Sequence, residues 1–171
     1  SPNGAAGTAY YNGLYGYDPV ANAWTTLSAE SDPNAPSPRF RCAMAHDPIG
    51  NRIVIYGGGN HVAAAIYSDC FVFDLGTNTW SQIANATPGT TGPQPLYDCR
   101  MAFDASSSNL VLFGGQNVWG DGNVNNRVAD TWLLSGTTWT QVTGLTEGVD
   151  VPSARRMHAM AARSAPYNDV V

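Results

Sequence analysis

The chain repeats itself. Pro36-Ser37-Pro38-Arg39 leads into Cys42-Ala43-Met44-Ala45, then into Asn51-Arg52-Ile53-Val54-Ile55-Tyr56-Gly57-Gly58, then Asp69-Cys70-Phe71-Val72-Phe73-Asp74 and Trp80. A second copy reads Cys99-Arg100-Met101-Ala102, Asn109-Leu110-Val111-Leu112-Phe113-Gly114-Gly115, Asp130-Thr131-Trp132-Leu133-Leu134 and Trp139. The Gly pairs stand 57 residues apart, and Trp24, Trp80 and Trp139 are spaced by 56 and 59. A third copy opens at Pro152-Ser153-Ala154-Arg155, passes through His158-Ala159-Met160-Ala161 and reaches Val170-Val171. A fixed period confines a chain to repeated units, each of which buries its apolar face against the next.

Each repeat holds four short β-rich runs separated by turn residues. The run before the Gly pair is apolar throughout (Ile53 to Tyr56, Leu110 to Phe113), which suits a strand covered on both faces. Asp18-Pro19 and Asp47-Pro48-Ile49-Gly50-Asn51 are turn signals at hairpin spacing. No helical periodicity competes with them. Four antiparallel strands in a repeat of this length describe one propeller blade. Composition agrees: 18 Gly and 11 Pro among 171 residues favour turns and short strands over long helices. The 5 Trp, 8 Tyr and 5 Phe, within a 43% hydrophobic chain, fill a core and exclude disorder. No apolar run approaches the roughly 18 residues of a spanning helix. All the basic residues are Arg, and the formal net charge is −5, which argues against an electrostatic nucleic-acid binder. The opening Ser1-Pro2-Asn3-Gly4 has no basic stretch followed by an apolar run, so no signal peptide is expected. Three Cys leave at least one thiol free or paired outside the chain. Asn85-Ala86-Thr87 is a glycosylation-type triplet that matters only in a eukaryotic secretory setting.

These residues resemble the kelch repeat family. The likeness rests on the Gly-Gly doublet, the aspartate-led strand ending Phe73-Asp74, and a Trp six residues after the closing aspartate (Asp74 to Trp80, Asp18 to Trp24). A Pro-x-x-Arg segment opens the first strand in two copies, and Leu96 replaces its Arg in the middle one. The family often has His near the start of that strand; His158 fits, while Cys42 and Cys99 stand in the other copies. The resemblance implies an all-β, kelch-type β-propeller of about three blade equivalents, part of a larger ring. With strands A to D named from the axis outward, 1–27 hold strands C and D of one blade, 40–83 and 97–142 are whole blades, and 157–171 hold strands A and B of another. Rings take about four to eight blades, so the remaining blades are expected in the same polypeptide or in another copy. Members of this family include scaffolds, lectin-like binders and enzymes, so the fold alone names no activity.

Antiparallel topology sorts the loops. The A–B and C–D turns are short and share one end; the B–C loops and the links between blades are long and share the other. Long loops on a rigid scaffold carry recognition or are tolerated insertions. At the long-loop end Arg39, Leu96 and Arg155 enter the innermost strands beside Arg41, Tyr97, Asp98 and Arg156, with His61 and Trp119 flanking. The resemblance implies that an arginine here meets an acidic ligand, and guanidinium grips carboxylate bidentately. The expected ligand-binding set is Arg39, Arg41, His61, Tyr97, Trp119, Arg155 and Arg156; alternatively Arg39 and Arg155 bond backbone carbonyls of the next blade. Trp119 either stacks on a sugar or covers the blade edge. The loop with Asp121, Asn123 and Asn125 has oxygens at alternating positions, as a calcium loop has, but lacks its closing Glu. His46, His61 and His158 have no metal-ligand spacing; no catalytic residue and no cofactor is expected. Cys42, Cys99 and His158 fall at equivalent strand-A positions and read as a buried ring of small side chains. The function expected is a non-catalytic binding or scaffold propeller for protein or glycan, in an extracellular setting by preference. The alternative is part of a secreted carbohydrate-active enzyme, such as a galactose-oxidase-like copper oxidase or a sugar-acid isomerase.

Overall fold

The computed structural model describes residues 10–83, 87–119, 126–163, 166 and 169–171. In chain order its strands are β1 (Leu14–Asp18), β2 (Ala23–Ser28), β3 (Ala43–Asp47), β4 (Arg52–Tyr56), β5 (Gly59–Asn60) and β6 (Ala65–Ile66). They continue with β7 (Cys70–Asp74), β8 (Thr79–Ile83), β9 (Arg100–Asp104), β10 (Asn109–Phe113), β11 (Thr131–Ser135) and β12 (Thr138–Gln141). Two four-stranded antiparallel meanders result, β3-β4-β7-β8 and β9-β10-β11-β12, preceded by the β1-β2 hairpin. β3 packs against β9, so the inner strands of successive sheets lie side by side. This is an all-β arc of propeller blades. The long B–C loop of the first whole blade carries a small hairpin of its own, β5-β6.

Aspartates at strand ends set four of the short turns. Asp18, Asp47 and Asp74 each accept the backbone N–H groups two and three residues on. The Asp104 carboxylate does the same for Ser106 and Ser107. Such side chains satisfy turn donors that no ladder reaches. The N–H groups of Thr77 and Gly76 accordingly hold the Asp74 carboxyl below the usual carboxylate range.

Alternate residues of the apolar strand β4 face different neighbours. Val54 and Tyr56 join the core shared with the second whole blade, among Leu110, Leu112, Trp132 and Leu134. Ile53 and Ile55 pack the other way, against Leu14 and Leu27 of the β1-β2 hairpin, with Phe73 and Trp80. A strand covered on both faces has no polar side to show, which is why it reads as unbroken apolar sequence.

The three spaced Trp hold the same register: Trp24 opposite Tyr17, Trp80 opposite Phe73, Trp139 opposite Leu134. Trp80 packs edge-on to Phe73, and its indole N–H donates to Ser28 Oγ at 2.9 Å. Trp139 meets the Tyr56 ring of the preceding blade. Both are buried between sheets. Trp24 is 71% exposed, since among the described residues no blade lies on its side. Residues 157–171, expected to hold two strands, show among the described residues one antiparallel bridge, Ala162 to Val170. Next to the bridge, Arg163 and Asp169 form an ion pair.

The Gly pairs join the blades. The Gly58 N–H donates to Leu96 O at 2.8 Å and the Gly115 N–H to Arg155 O at 2.9 Å, each crossing to the next repeat. All four glycines have positive φ. A Cβ on Gly114 would lie 2.7 Å from Arg155 O, one on Gly58 2.9 Å from Phe40 O, and one on Gly57 would collide with Leu96 O. Only glycine combines this conformation with so close an approach of backbones.

Candidate functional site

At the long-loop end each repeat enters its inner strand through four residues: Arg39 to Cys42, Leu96 to Cys99, and Arg155 to His158. The third position, held by Arg41, Asp98 and Met157, has φ 58 in all three copies. A left-handed conformation costs a non-glycine residue about 1 kcal/mol or more. The inter-blade ladder holds it in place: the Asp98 N–H donates to Arg41 O at 2.9 Å, and the Met157 N–H to Asp98 O at 3.2 Å. This long-loop end of the innermost strands, the mouth of the propeller, is therefore rimmed by a row of backbone bonds, with side chains that differ from copy to copy.

Arg39 turns into its own blade. Its guanidinium pairs with both oxygens of Asp69, donates to Gly57 O at 2.9 Å and to Ser37 O at 3.0 Å, and lies 4.2 Å from the Tyr67 ring centroid. Its side chain is 5% exposed. The carbonyls it reaches belong to its own repeat rather than the next blade's. Arg155 makes the equivalent bonds to Ser153 O and Ser153 Oγ, while Leu96 fills this position with a buried apolar side chain.

Arg41 and Arg156 converge instead on one carboxylate. Asp98 Oδ2 accepts from Arg41 Nη1 at 3.1 Å and from Arg156 Nη1 at 3.5 Å. The Asp98 side chain is 3% exposed, that of Arg41 40% and that of Arg156 22%. The three residues come from three successive repeats. Two partly exposed cations thus share one buried anion, which leaves the cluster a net positive charge.

An aromatic group adjoins them. Trp119 stacks on Phe40 at 5.7 Å between centroids and meets His61 at 4.3 Å and Tyr97 at 4.7 Å; Phe40 stacks in turn on Tyr10 at 5.3 Å. The Arg41 guanidinium lies 5.4 Å from the Phe40 centroid. Trp119 covers Gly59 so closely that a Cβ there would overlap the indole. Tyr97 is buried and donates its hydroxyl to Val118 O at 3.0 Å, so it supports the loop that carries Trp119. Trp119 is packed against its neighbours, and its buried indole N–H has no acceptor among the described residues. His61 is exposed.

Of the seven residues the sequence points to, Arg41, His61, Tyr97, Trp119 and Arg156 form one continuous patch, and Arg39 and Arg155 lie turned away from it. Phe40 and Tyr10 join the patch unannounced. Phe40 shares a repeat column with Tyr97 and Arg156, and an aromatic in two of three copies was the available signal. The calcium-like Asp121, Asn123 and Asn125, and the acceptor Asn85, lie outside the described residues.

Cys42 and Cys99 occupy equivalent places against the second glycine of each pair. Burial pushes the thiol of Cys99, and likewise that of Cys70, up to about 12, and raises that of Cys42. All three are free thiols and stay protonated at neutral pH, so they pack as small apolar groups. His158 lies against Phe113; burial, then Arg100 and Arg155, hold it below the ordinary histidine range.

Comparison with known proteins bears on the whole chain. A family model described as the KLHDC2/KLHL20/DRC7 Kelch-repeats domain matches residues 3–167. A Kelch repeat-containing protein of Arthroderma benhamiae is 32% identical over 115 residues, covering 64% of this chain and 17% of that protein. Kelch domain-containing protein 10 of Xenopus laevis is 27% identical over 165 residues, covering 95% of this chain and 37% of the relative. The structure of YjhT superposes with a TM-score of 0.62 at 15% identity, over 89% of this chain and 42% of that one, a likeness of fold. The chain thus spans well under half the length of each of these relatives.

Proposed function

This chain belongs to the Kelch-repeat family, and from that premise we propose that it is a non-catalytic binding propeller whose long-loop mouth recognises an acidic segment of a protein or an acidic glycan. Arg41 and Arg156 supply the charge, and His61 and Trp119 the planar surface beside it. The remaining blades of the ring come from the same polypeptide or from another copy.

One observation carries the reading: separate repeats deliver two guanidinium groups and a cluster of aromatic rings to one place, at the end where the loops are long. Planar donors match carboxylate oxygens, and aromatic faces match the apolar face of a sugar or peptide. Arg39 and Arg155 serve this reading as supports of the rim.

The test uses the full-length protein with octaglutamate as the acidic probe and octaglutamine as the neutral one, titrated calorimetrically at low salt. Wild-type protein is expected to prefer octaglutamate. Arg41→Gln with Arg156→Gln is expected to weaken octaglutamate binding at least about tenfold, since bonds between charged partners are each worth about 1.5–3 kcal/mol. The β circular-dichroism signal should persist. Equal binding of the two probes by wild type, or undiminished binding by the double variant, overturns the reading.

A further inference from the structure

We propose that Asp98 sets the charge of the mouth: its buried carboxylate offsets one of the two arginine charges, and so limits how strongly the site attracts an acidic ligand. The inference rests on the binding role proposed for Arg41 and Arg156, and adds the residue that tunes them.

Three observations lead to it. First, the backbone does not need the acid. The rim conformation is the same at Arg41, Asp98 and Met157, with φ 58 each, and the bonds linking the copies are main-chain to main-chain. A cation, an anion and a thioether occupy one conformational slot, so the ladder does not explain why the middle copy is acidic. Second, the carboxylate lies between guanidinium groups of the repeats on either side, at 3.1 and 3.5 Å, and is nearly inaccessible itself. An incoming ligand meets the arginines and feels Asp98 through its field. Third, the arginines keep surface to offer, with Arg41 the more exposed of the two. Two cations around one fixed anion present about one net charge to solvent, where the arginines alone would present two.

Coulomb's law sets the size of the effect. One charge about 7 Å from a ligand carboxylate, in surroundings with an effective dielectric constant of about 40–80, changes affinity about three- to sevenfold, and less as salt is added. Asn keeps the shape of Asp98, offers one oxygen to an arginine, and tolerates positive φ.

The experiment compares wild type, Asp98→Asn and Arg41→Gln in the full-length protein, with octaglutamate and octaglutamine as probes across a salt series. Asp98→Asn is expected to bind octaglutamate about three- to sevenfold more tightly than wild type, with a steeper salt dependence and unchanged octaglutamine binding. Arg41→Gln leaves Arg156 and Asp98 in balance and is expected to lose the preference for octaglutamate. A purely structural Asp98 would shift melting temperature without steepening the salt dependence. Unchanged octaglutamate affinity and salt dependence in Asp98→Asn overturn the proposal while the binding role stands. Should that variant not fold, retained preference in Arg41→Gln overturns the charge balance on its own. Absence of preference in wild type overturns the binding role, and the proposal with it.

Discussion

Replacing Gly57 by Ala is expected to cost about 2–5 kcal/mol, a large part of the stability of a domain of this size. Two effects add. An L-residue in the left-handed region costs about 1–2 kcal/mol, and Gly57 sits at φ +65. The new methyl would also meet Leu96 O, the acceptor that ties Gly58 to the next blade. Pushing that carbonyl aside leaves a buried donor unpaired, worth about 1–3 kcal/mol. Gly136 provides the control: its φ is +58, yet a Cβ there meets nothing within 4 Å. Gly136→Ala should cost only the conformational part, about 1–2 kcal/mol. Urea unfolding of the two variants separates the terms. Equal costs would mean that the Gly pair serves turn geometry alone and does not join the blades.

Arg39→Ala is expected to cost about 3 kcal/mol, because it leaves Asp69 without its cation and strands the Gly57 carbonyl. Arg39→Leu should cost less, because the same position in the second whole blade holds Leu96, fully buried, and an apolar side chain restores packing. Adding Asp69→Asn to Arg39→Leu should recover part of the remainder by removing the unpaired anion. Octaglutamate affinity, measured well below the melting temperature, should hardly change in any of the three. An intact melting temperature with lost binding would instead place Arg39 in the ligand site.

How far the sequence reaches is clear from these two positions. Gly57-Gly58 and Gly114-Gly115 were legible because the repeat sets the same constraint twice, and a constraint on backbone geometry leaves the same residue type behind. The two-sided burial of β4 was legible for a similar reason: Ile53 to Tyr56 can be apolar throughout only if both faces are covered. The fate of Arg39 was less so. Its partner Asp69 lies 30 residues on, and the fold alone decides whether a guanidinium at a rim turns inward or outward. The grouping of Phe40, His61 and Trp119 depends on two long loops folding over the same strand entry, which no periodicity records. Asp98 was visible as a neighbour of the arginines, yet its place between Arg41 and Arg156 requires three repeats packed side by side. Repetition exposes what every copy shares; the mouth is built from the column positions where the copies differ.

A hydrogen-exchange footprint of octaglutamate on the full-length protein decides whether the long-loop end is the recognition surface. Slowed exchange is expected at Phe40–Arg41, around His61, at Tyr97–Asp98, beside Trp119 and at Arg156, with the short turns at 47–51, 74–79, 104–108 and 135–138 unchanged. Protection confined to those short turns, at the opposite end of the blades, would contradict that role.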